Sequence, residues 1–270
     1  MCQNNSLTNS LIERIRSASI PREPIPTEVQ AHLAPLTDIR CILFDIYGTL
    51  FISGSGDVGV AAATHSADAF SQALAACNIG YLEKNKTIGS CGLELYFETI
   101  RAEQDLARAQ GIAHPEVEIR QVWQRIFENL MAEKLVESVP TSETFSHVAL
   151  AYECLVNPVW PMPGVIETMT HLRNAGMRLG IISNAQFFTP LLFSALLDSD
   201  APSLGIDEAL TIYSYVLREA KPSPRLFQQV LDTLRRLPGQ RHAQRHFARA
   251  HCGMQNHSLC WRPALFAPAR

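Results

Sequence analysis

The chain has 270 residues, 47% of them hydrophobic, and a formal net charge of −3. That length and apolar content support one elaborated domain or two small ones around a sizeable core. The charge balance fits neither a nucleic-acid binder nor an acid-rich disordered chain, and no apolar run reaches the roughly 18 residues that cross a bilayer. Taken in chain order, residues 7–18 read as a short helix through Leu7, Leu11, Ile12 and Ile15. Pro21-Arg22-Glu23-Pro24-Ile25-Pro26 then breaks into an extended linker. Residues 1–38 form an N-terminal extension without chemistry of their own, expected to pack on the core or stay partly mobile.

Next comes a short apolar strand, about residues 40–46, in which Cys41-Ile42-Leu43-Phe44 leads into Asp45-Ile46-Tyr47-Gly48-Thr49-Leu50. A strand that ends in an acid and breaks at glycine puts a carboxylate at the carboxyl end of a strand, the edge where open α/β sheets bind ligands. The plain alternative is an aspartate that caps the following turn. From Phe51 to about Asn157 the pattern is helical. Leu93, Tyr96, Phe97 and Ile100 fall at i, i+3, i+4 and i+7, and Ile119, Val122, Ile126 and Leu130 repeat the stripe. These are read as inner faces of a small helical bundle. Ser53-Gly54-Ser55-Gly56-Asp57 reads as a hinge or as an ordinary flexible loop.

Trp160-Pro161-Met162-Pro163-Gly164 returns the chain to the core and opens a helix through Val165, Met169 and Leu172, stopped at Asn174-Ala175-Gly176. Met177-Arg178-Leu179-Gly180-Ile181-Ile182 forms a second strand closing on Ser183-Asn184. Tyr213-Ser214-Tyr215-Val216 precedes Lys221-Pro222-Ser223-Pro224, after which Leu226, Phe227, Val230, Leu231 and Leu234 make an amphipathic helix. This alternation of strand and helix predicts a doubly wound α/β core. On their own, Ser183 reads as a helix N-cap and Lys221 as a solvated surface cation. The seven cysteines lack CxxC or a paired framework, which predicts reduced thiols and a cytoplasmic setting. The first residues also lack the basic-then-apolar order of a secretory signal.

Together, in order and spacing, these three strings resemble the first three motifs of the haloacid dehalogenase (HAD) superfamily, over about residues 40–237. The resemblance implies a Rossmann-like doubly wound parallel sheet with an inserted helical cap. The core would comprise residues 39–51 and 158–237, and the cap residues 52–157. It implies a hydrolase of a small-molecule substrate, with no nucleic acid or membrane as partner. Asp45 would be the covalent nucleophile, Ser183 a contact to the phosphoryl or carboxylate oxygen, and Lys221 the electrostatic partner. Backbone N–H groups of the Tyr47-Gly48-Thr49 turn and Asn184 are the candidate substrate contacts, with turn-securing and helix-capping as their plain alternatives.

Tyr47 departs from the phosphatase pattern, which carries a second Asp there to protonate the leaving oxygen. A phenol, with an ordinary pKa of about 10, does not exchange protons readily at neutral pH. Asp-x-Tyr-Gly-Thr-Leu instead resembles the 2-haloacid dehalogenases, where halide leaves unprotonated. Those enzymes also use an arginine soon after the motif, whereas the first arginine here is Arg101. The expected reading is a phosphatase-like hydrolase, with dehalogenation or a catalytically silent binding protein as alternatives.

The family's fourth motif, an acidic strand end that completes a Mg²⁺ site around the nucleophile, has no counterpart. Residues 238–270 contain no Asp, Glu or Lys, so Asp45 is left as the sole expected metal ligand of an incomplete site. His242, His246, His251 and His257 raise transition-metal binding, and the neighbouring arginines nucleic-acid binding, as alternatives without a recognisable motif. A different account fits the composition. Gln240-Arg241-His242-Ala243-Gln244-Arg245-His246 can be encoded by CAA CGA CAT GCT CAA CGA CAT. Read one nucleotide later, these bases spell Asn-Asp-Met-Leu-Asn-Asp, a match that codon degeneracy allows without forcing. A frame-shifted tail over 238–270 should be irregular and leave a sheet edge uncovered.

Overall fold

The computed structural model describes residues 2–26, 39–54, 66–82, 88–236, 248–255 and 258–264. Strand β1 (Cys41–Phe44) is the centre of a five-stranded sheet. On one side it pairs in parallel with β4 (Arg178–Ser183), Phe44 opposite Ile181. Strand β4 in turn pairs in parallel with β5 (Ile206–Tyr213), Ser183 opposite Tyr213. All three strands therefore end at the same edge. Close approach of β4 to β5 needs a glycine, because a Cβ on Gly180 would lie 2.4 Å from the Leu210 carbonyl oxygen.

Side chains alternate across this sheet, so its two faces collect separate sets of helices. Ile182, Leu210 and Ile212 pack with Cys41 and with Leu226, Val230 and Leu234 of α9 (Pro224–Arg236). Leu179 and Ile181 join the main core with Met169 of α6 (Val165–Asn174) and Phe193 of α7 (Leu191–Leu196). A single helical turn, α8 (Ser214–Leu217), follows β5 directly. Helix α1 (Cys2–Ala18), longer than its apolar spacing suggests, buries Leu11 and Ile15 against this core. Arg16 bonds the Ser194 and Ala195 carbonyls and pairs with Asp198 at 2.8 Å, a cation placed at the carboxyl end of α7. Residues 27–38 lie outside the described residues.

The insertion between β1 and β4 leaves and re-enters through a two-stranded antiparallel ribbon, β2 (Phe51–Ser53) with β3 (Val159–Pro161). It consists of α2 (Ala67–Ala76), α3 (Ile88–Ala109), α4 (Ile119–Ala132) and α5 (Ser142–Val156). Phe70, Tyr96, Trp123 and Tyr152, one from each helix, make its buried aromatic centre, with the Phe70 and Trp123 rings stacked at 5.0 Å. The α4 stripe Ile119, Val122, Ile126 and Leu130 is buried as its spacing predicts. On α3 the buried face is displaced. It runs through Gly89, Gly92, Tyr96 and Thr99, while Leu93, Phe97 and Ile100 are only partly covered. A Cβ on Gly92 would stand 2.1 Å from the Phe70 ring, so the glycine admits that ring against the helix backbone. Of the expected hinge, Ser53 bonds Asn157 and Gly54 bonds the Pro158 carbonyl; residues 55–57 lie outside the described residues.

The tail corrects an expectation. Instead of an irregular segment beside a bare edge, β6 (Ala248–Gln255) pairs in parallel with the free side of β1, and β7 (Ser258–Ala264) returns antiparallel to β6. The strand order is β5-β4-β1-β6-β7, so the sheet is parallel except at its last strand. An open strand edge offers a row of N–H and C=O groups, and pairing with it asks little of the side chains. Residues 237–247, 256–257 and 265–270 lie outside the described residues.

Candidate active site

Asp45 is the first residue beyond β1, and Ser183 the last of β4. Lys221 follows β5 by way of α8 and the loop 218–221. The structure brings these three together. The Asp45 Oδ1 atom accepts the Ser183 hydroxyl at 2.9 Å and the Ile46 N–H at 2.8 Å. Its Oδ2 atom meets Lys221 Nζ at 2.5 Å. Both partners of this ion pair are largely shielded, so water screens it little. Asn184 holds the cation's loop in place, its Oδ1 accepting the Lys221 backbone N–H at 2.7 Å.

The turn after Asp45 spends most of its amides on itself. Gly48, at φ 75°, donates to the Phe51 carbonyl at 2.7 Å, and Thr49 donates to Ile46 at 3.1 Å. The Thr49 hydroxyl is buried and has no hydrogen-bond partner among the described residues. Tyr47 is buried too, its hydroxyl 2.9 Å from Thr189 Oγ1, which also accepts the Gln186 N–H. Its phenol is thus tied to the β4 side of the site.

Sequence reasoning missed Glu116, Gln186 and Ser214. Glu116, in the loop between α3 and α4, accepts the Ser214 hydroxyl at 2.7 Å, the Gln186 amide at 3.3 Å and the Val117 N–H at 3.0 Å. Gln186 also bonds the Val117 carbonyl and the Ile119 N–H. Alongside, the Ala220 N–H donates to His114 O at 2.7 Å and the Glu116 N–H to Arg218 O at 3.1 Å. The helical insertion is therefore fastened to the loop that delivers Lys221. No local pattern announces such a clasp; the only signal was His114-Pro115-Glu116, a proline break between two helical stripes.

A cavity of about 280 Å³ opens at this junction, lined by Lys221 and Asn184 from the core and by Tyr96, Arg108, His114 and Glu116 from the insertion. Burial drives the Tyr96 phenol well above its ordinary pKa, so it stays protonated as a hydrogen-bonding group. Burial also pushes the Cys41 thiol up to about 11 and Cys154 to about 12, which removes both as thiolate nucleophiles at neutral pH.

The donor set does not fit the Mg²⁺ that the sequence resemblance implies. Asp45 has Lys221 on one oxygen and Ser183 with Ile46 on the other. The next acid position is Tyr47, and no cluster of three His, Cys, Asp or Glu side chains occurs among the described residues. The sequence has no Asp or Glu after Asp232. Among the described residues, a hard cation demanding oxygen ligands finds at this position one carboxylate, already paired.

A family model of haloacid dehalogenase-like hydrolases matches residues 39–242. That is more than half of the chain, which belongs to this family. Among solved structures, the chain is similar to a dehalogenase at 18% identity, with 76% of each chain covered and a TM-score of 0.37. It is similar to CbbY from Rhodobacter sphaeroides in complex with phosphate at 18% identity, 75% of each chain and a TM-score of 0.37. A predicted phosphoglycolate phosphatase from Haemophilus somnus matches at 18% identity, over 73% of this chain and 72% of that one, with a TM-score of 0.33. At these TM-scores the likenesses carry no argument about fold or activity. No curated protein matches the sequence. No described helix is long and apolar enough to cross a membrane.

Proposed function

We propose that this hydrolase acts on a small phosphorylated metabolite through a covalent aspartyl intermediate, with residues 52–157 as the cap that selects the substrate. The observation that carries the reading is the Asp45 carboxylate held between Lys221 Nζ and Ser183 Oγ at the carboxyl edge of the sheet. An Asp45 oxygen forms the new bond to phosphorus as the bond to the leaving oxygen breaks. Lys221 offsets the charge that accumulates, and the Ser183 hydroxyl and Asn184 amide contact the phosphoryl oxygens. Water then cleaves the acyl phosphate, restoring the carboxylate and releasing phosphate. With Cys41, Cys77, Cys91 and Cys154 free, we place this chemistry in the reducing cytoplasm.

The Tyr47 hydroxyl is engaged by Thr189, so among the described residues the position two after Asp45 supplies no carboxylic acid to protonate a leaving alkoxide. The expected outcome is slow turnover with steep dependence on the leaving group: an aryl ester such as p-nitrophenyl phosphate reacts far faster than an alkyl phosphate. The same observation favours a second reading, 2-haloacid dehalogenation. There Asp45 attacks C2, halide departs with the bonding electrons and needs no proton, and water hydrolyses the ester to a 2-hydroxy acid. A third reading keeps the fold as a silent binding module.

Assay of the purified chain on p-nitrophenyl phosphate and on 2-chloropropionate, each with Mg²⁺ and with chelator, separates the three. Phosphate release supports the first reading, chelator-resistant halide release the second, and neither the third. Hydrolysis that persists unchanged in Asp45→Asn overturns the nucleophile assignment in every version.

A further inference from the structure

The cavity beside Lys221 is small. At about 280 Å³ it lies at the lower limit of ordinary ligand sites, roughly 300–1,000 Å³, and suits a compact metabolite rather than a nucleotide. Its charged lining sorts into two kinds. The carboxylates are already satisfied within the protein: Glu116 by Ser214, Gln186 and Val117, and Glu153 by the Asn157 amide at 2.9 Å. The donors contributed by the insertion, Arg108 and His114, are not so committed. The His114 imidazole makes no hydrogen bond among the described residues, while the His114 carbonyl is anchored to Ala220, the residue before Lys221. Arg108 pairs at 2.6 Å with Asp105 one helical turn away and reaches the Gln104 amide oxygen at 3.5 Å, but the Arg108 and Asp105 side chains are more than half exposed. An exposed i,i+3 pair of this kind is weak and yields readily to a better anion. Tyr96, Ile100, Val117 and Ile119 supply an apolar lining in the same cavity.

We infer that the substrate carries a second anionic group, a carboxylate a short carbon chain away from phosphorus, and that Arg108 and His114 receive it. This rests on the phosphoryl reading of the site. Lys221 is occupied by Asp45, so a second anion needs donors of its own, and the insertion provides the Arg108 guanidinium and the His114 imidazole. A guanidinium binds a carboxylate through two parallel N–H···O bonds, and an imidazole N–H adds a third donor. Arg108 and His114 therefore act as specificity residues: they select among phosphate esters and leave the chemistry at Asp45 untouched.

Calorimetry with unhydrolysable ligands tests this without relying on turnover. Phosphonoacetate and ethylphosphonate differ by a carboxylate in place of a methyl group, and inorganic phosphate reports the phosphoryl site alone. The full chain should bind phosphonoacetate about tenfold more tightly than ethylphosphonate, the scale of one charged hydrogen-bonded contact. Arg108→Ala should abolish that preference while keeping phosphate binding, and Arg108→Lys should restore part of it. Arg108 is exposed on α3 and alanine favours helix, so this variant folds even if His114→Ala does not. Equal binding of the two phosphonates by the full chain, or a preference that survives Arg108→Ala, overturns the inference while the phosphoryl reading stands. Failure of phosphate and both phosphonates to bind removes the phosphoryl reading, and this inference with it.

Discussion

The two flanks of β1 make an instructive contrast. On the β4–β5 side, strand, loop and side chain agree: Ser183 closes one strand, Lys221 follows the next, and both reach Asp45. On the β6–β7 side the backbone is in place, parallel to β1 through Ile42 and Leu43, yet the sequence there has no carboxylate to offer. Strand pairing is satisfied by main-chain groups and tolerates many residues, whereas a metal or acid–base site depends on residue identity at one or two positions. A sheet edge can therefore have its architecture in place without carrying such chemistry.

The sharpest break of this contrast lies at its centre. Asp45→Asn should reduce any hydrolysis by at least about a thousandfold, because it removes the proposed nucleophile. The flanks should then separate. Lys221→Ala is expected to cost about a hundredfold in kcat, the size of a lost electrostatic contact to the reacting group. His251→Ala on β6 should leave the rate unchanged. Comparable losses from the two substitutions, measured on the same substrate, would erase the distinction between an equipped and an unequipped flank.

Stability gives the next effect in size. The Glu116 carboxylate joins the insertion to the equipped flank, and Glu116→Ala takes the 2.7 Å acceptor from the Ser214 hydroxyl, leaving it the Ala185 carbonyl at 3.3 Å, and weakens the hold on Gln186. The expected loss is about 3 kcal/mol in denaturant unfolding, with KM rising more than kcat falls, since the cavity loosens before the nucleophile moves. Glu116→Gln keeps the shape and should recover most of the loss. An alanine variant as stable as the parent would mean that the backbone bonds of His114 and Glu116 suffice to hold the insertion.

Much of the equipped flank was legible in sequence because its signals are local. The apolar runs before Asp45 and Ser183 mark strand ends, and the lysine before a proline-punctuated helix start completes the set. The α4 stripe was legible for the same reason. What escaped was long-range or without side-chain signature. Gly89 and Gly92 set the α3 packing face through what they lack, which hydrophobic periodicity does not score. The Glu116 clasp joins residues 70 and 98 positions apart. Strand β6 pairs in parallel with β1, and main-chain pairing of this kind leaves little side-chain signature in a sequence. The gene sequence across codons 238–246 bears on that flank directly. A neighbouring frame encoding Asn-Asp-Met-Leu-Asn-Asp would make the missing acids a frame lesion, and unrelated codons would dismiss that account.

Tyr47 gives the smallest effect and the finest test of the contrast. It occupies the position where phosphatase relatives carry an acid, but its hydroxyl points to Thr189, itself bonded to the Gln186 N–H. On this geometry the residue is a tie within the β4 flank rather than a replacement for the missing acid. Tyr47→Phe removes the hydrogen bond to Thr189 and keeps the ring, so it should cost about 1 kcal/mol in stability and leave kcat as it was. Thr189 retains the Gln186 N–H as a partner, which keeps the loss at the small end. A fall in kcat larger than tenfold, with little change in unfolding midpoint, would move the phenol into the proton inventory of the reaction. The site would then hold an acid where the present reading finds none, and alkyl phosphates would become competent substrates.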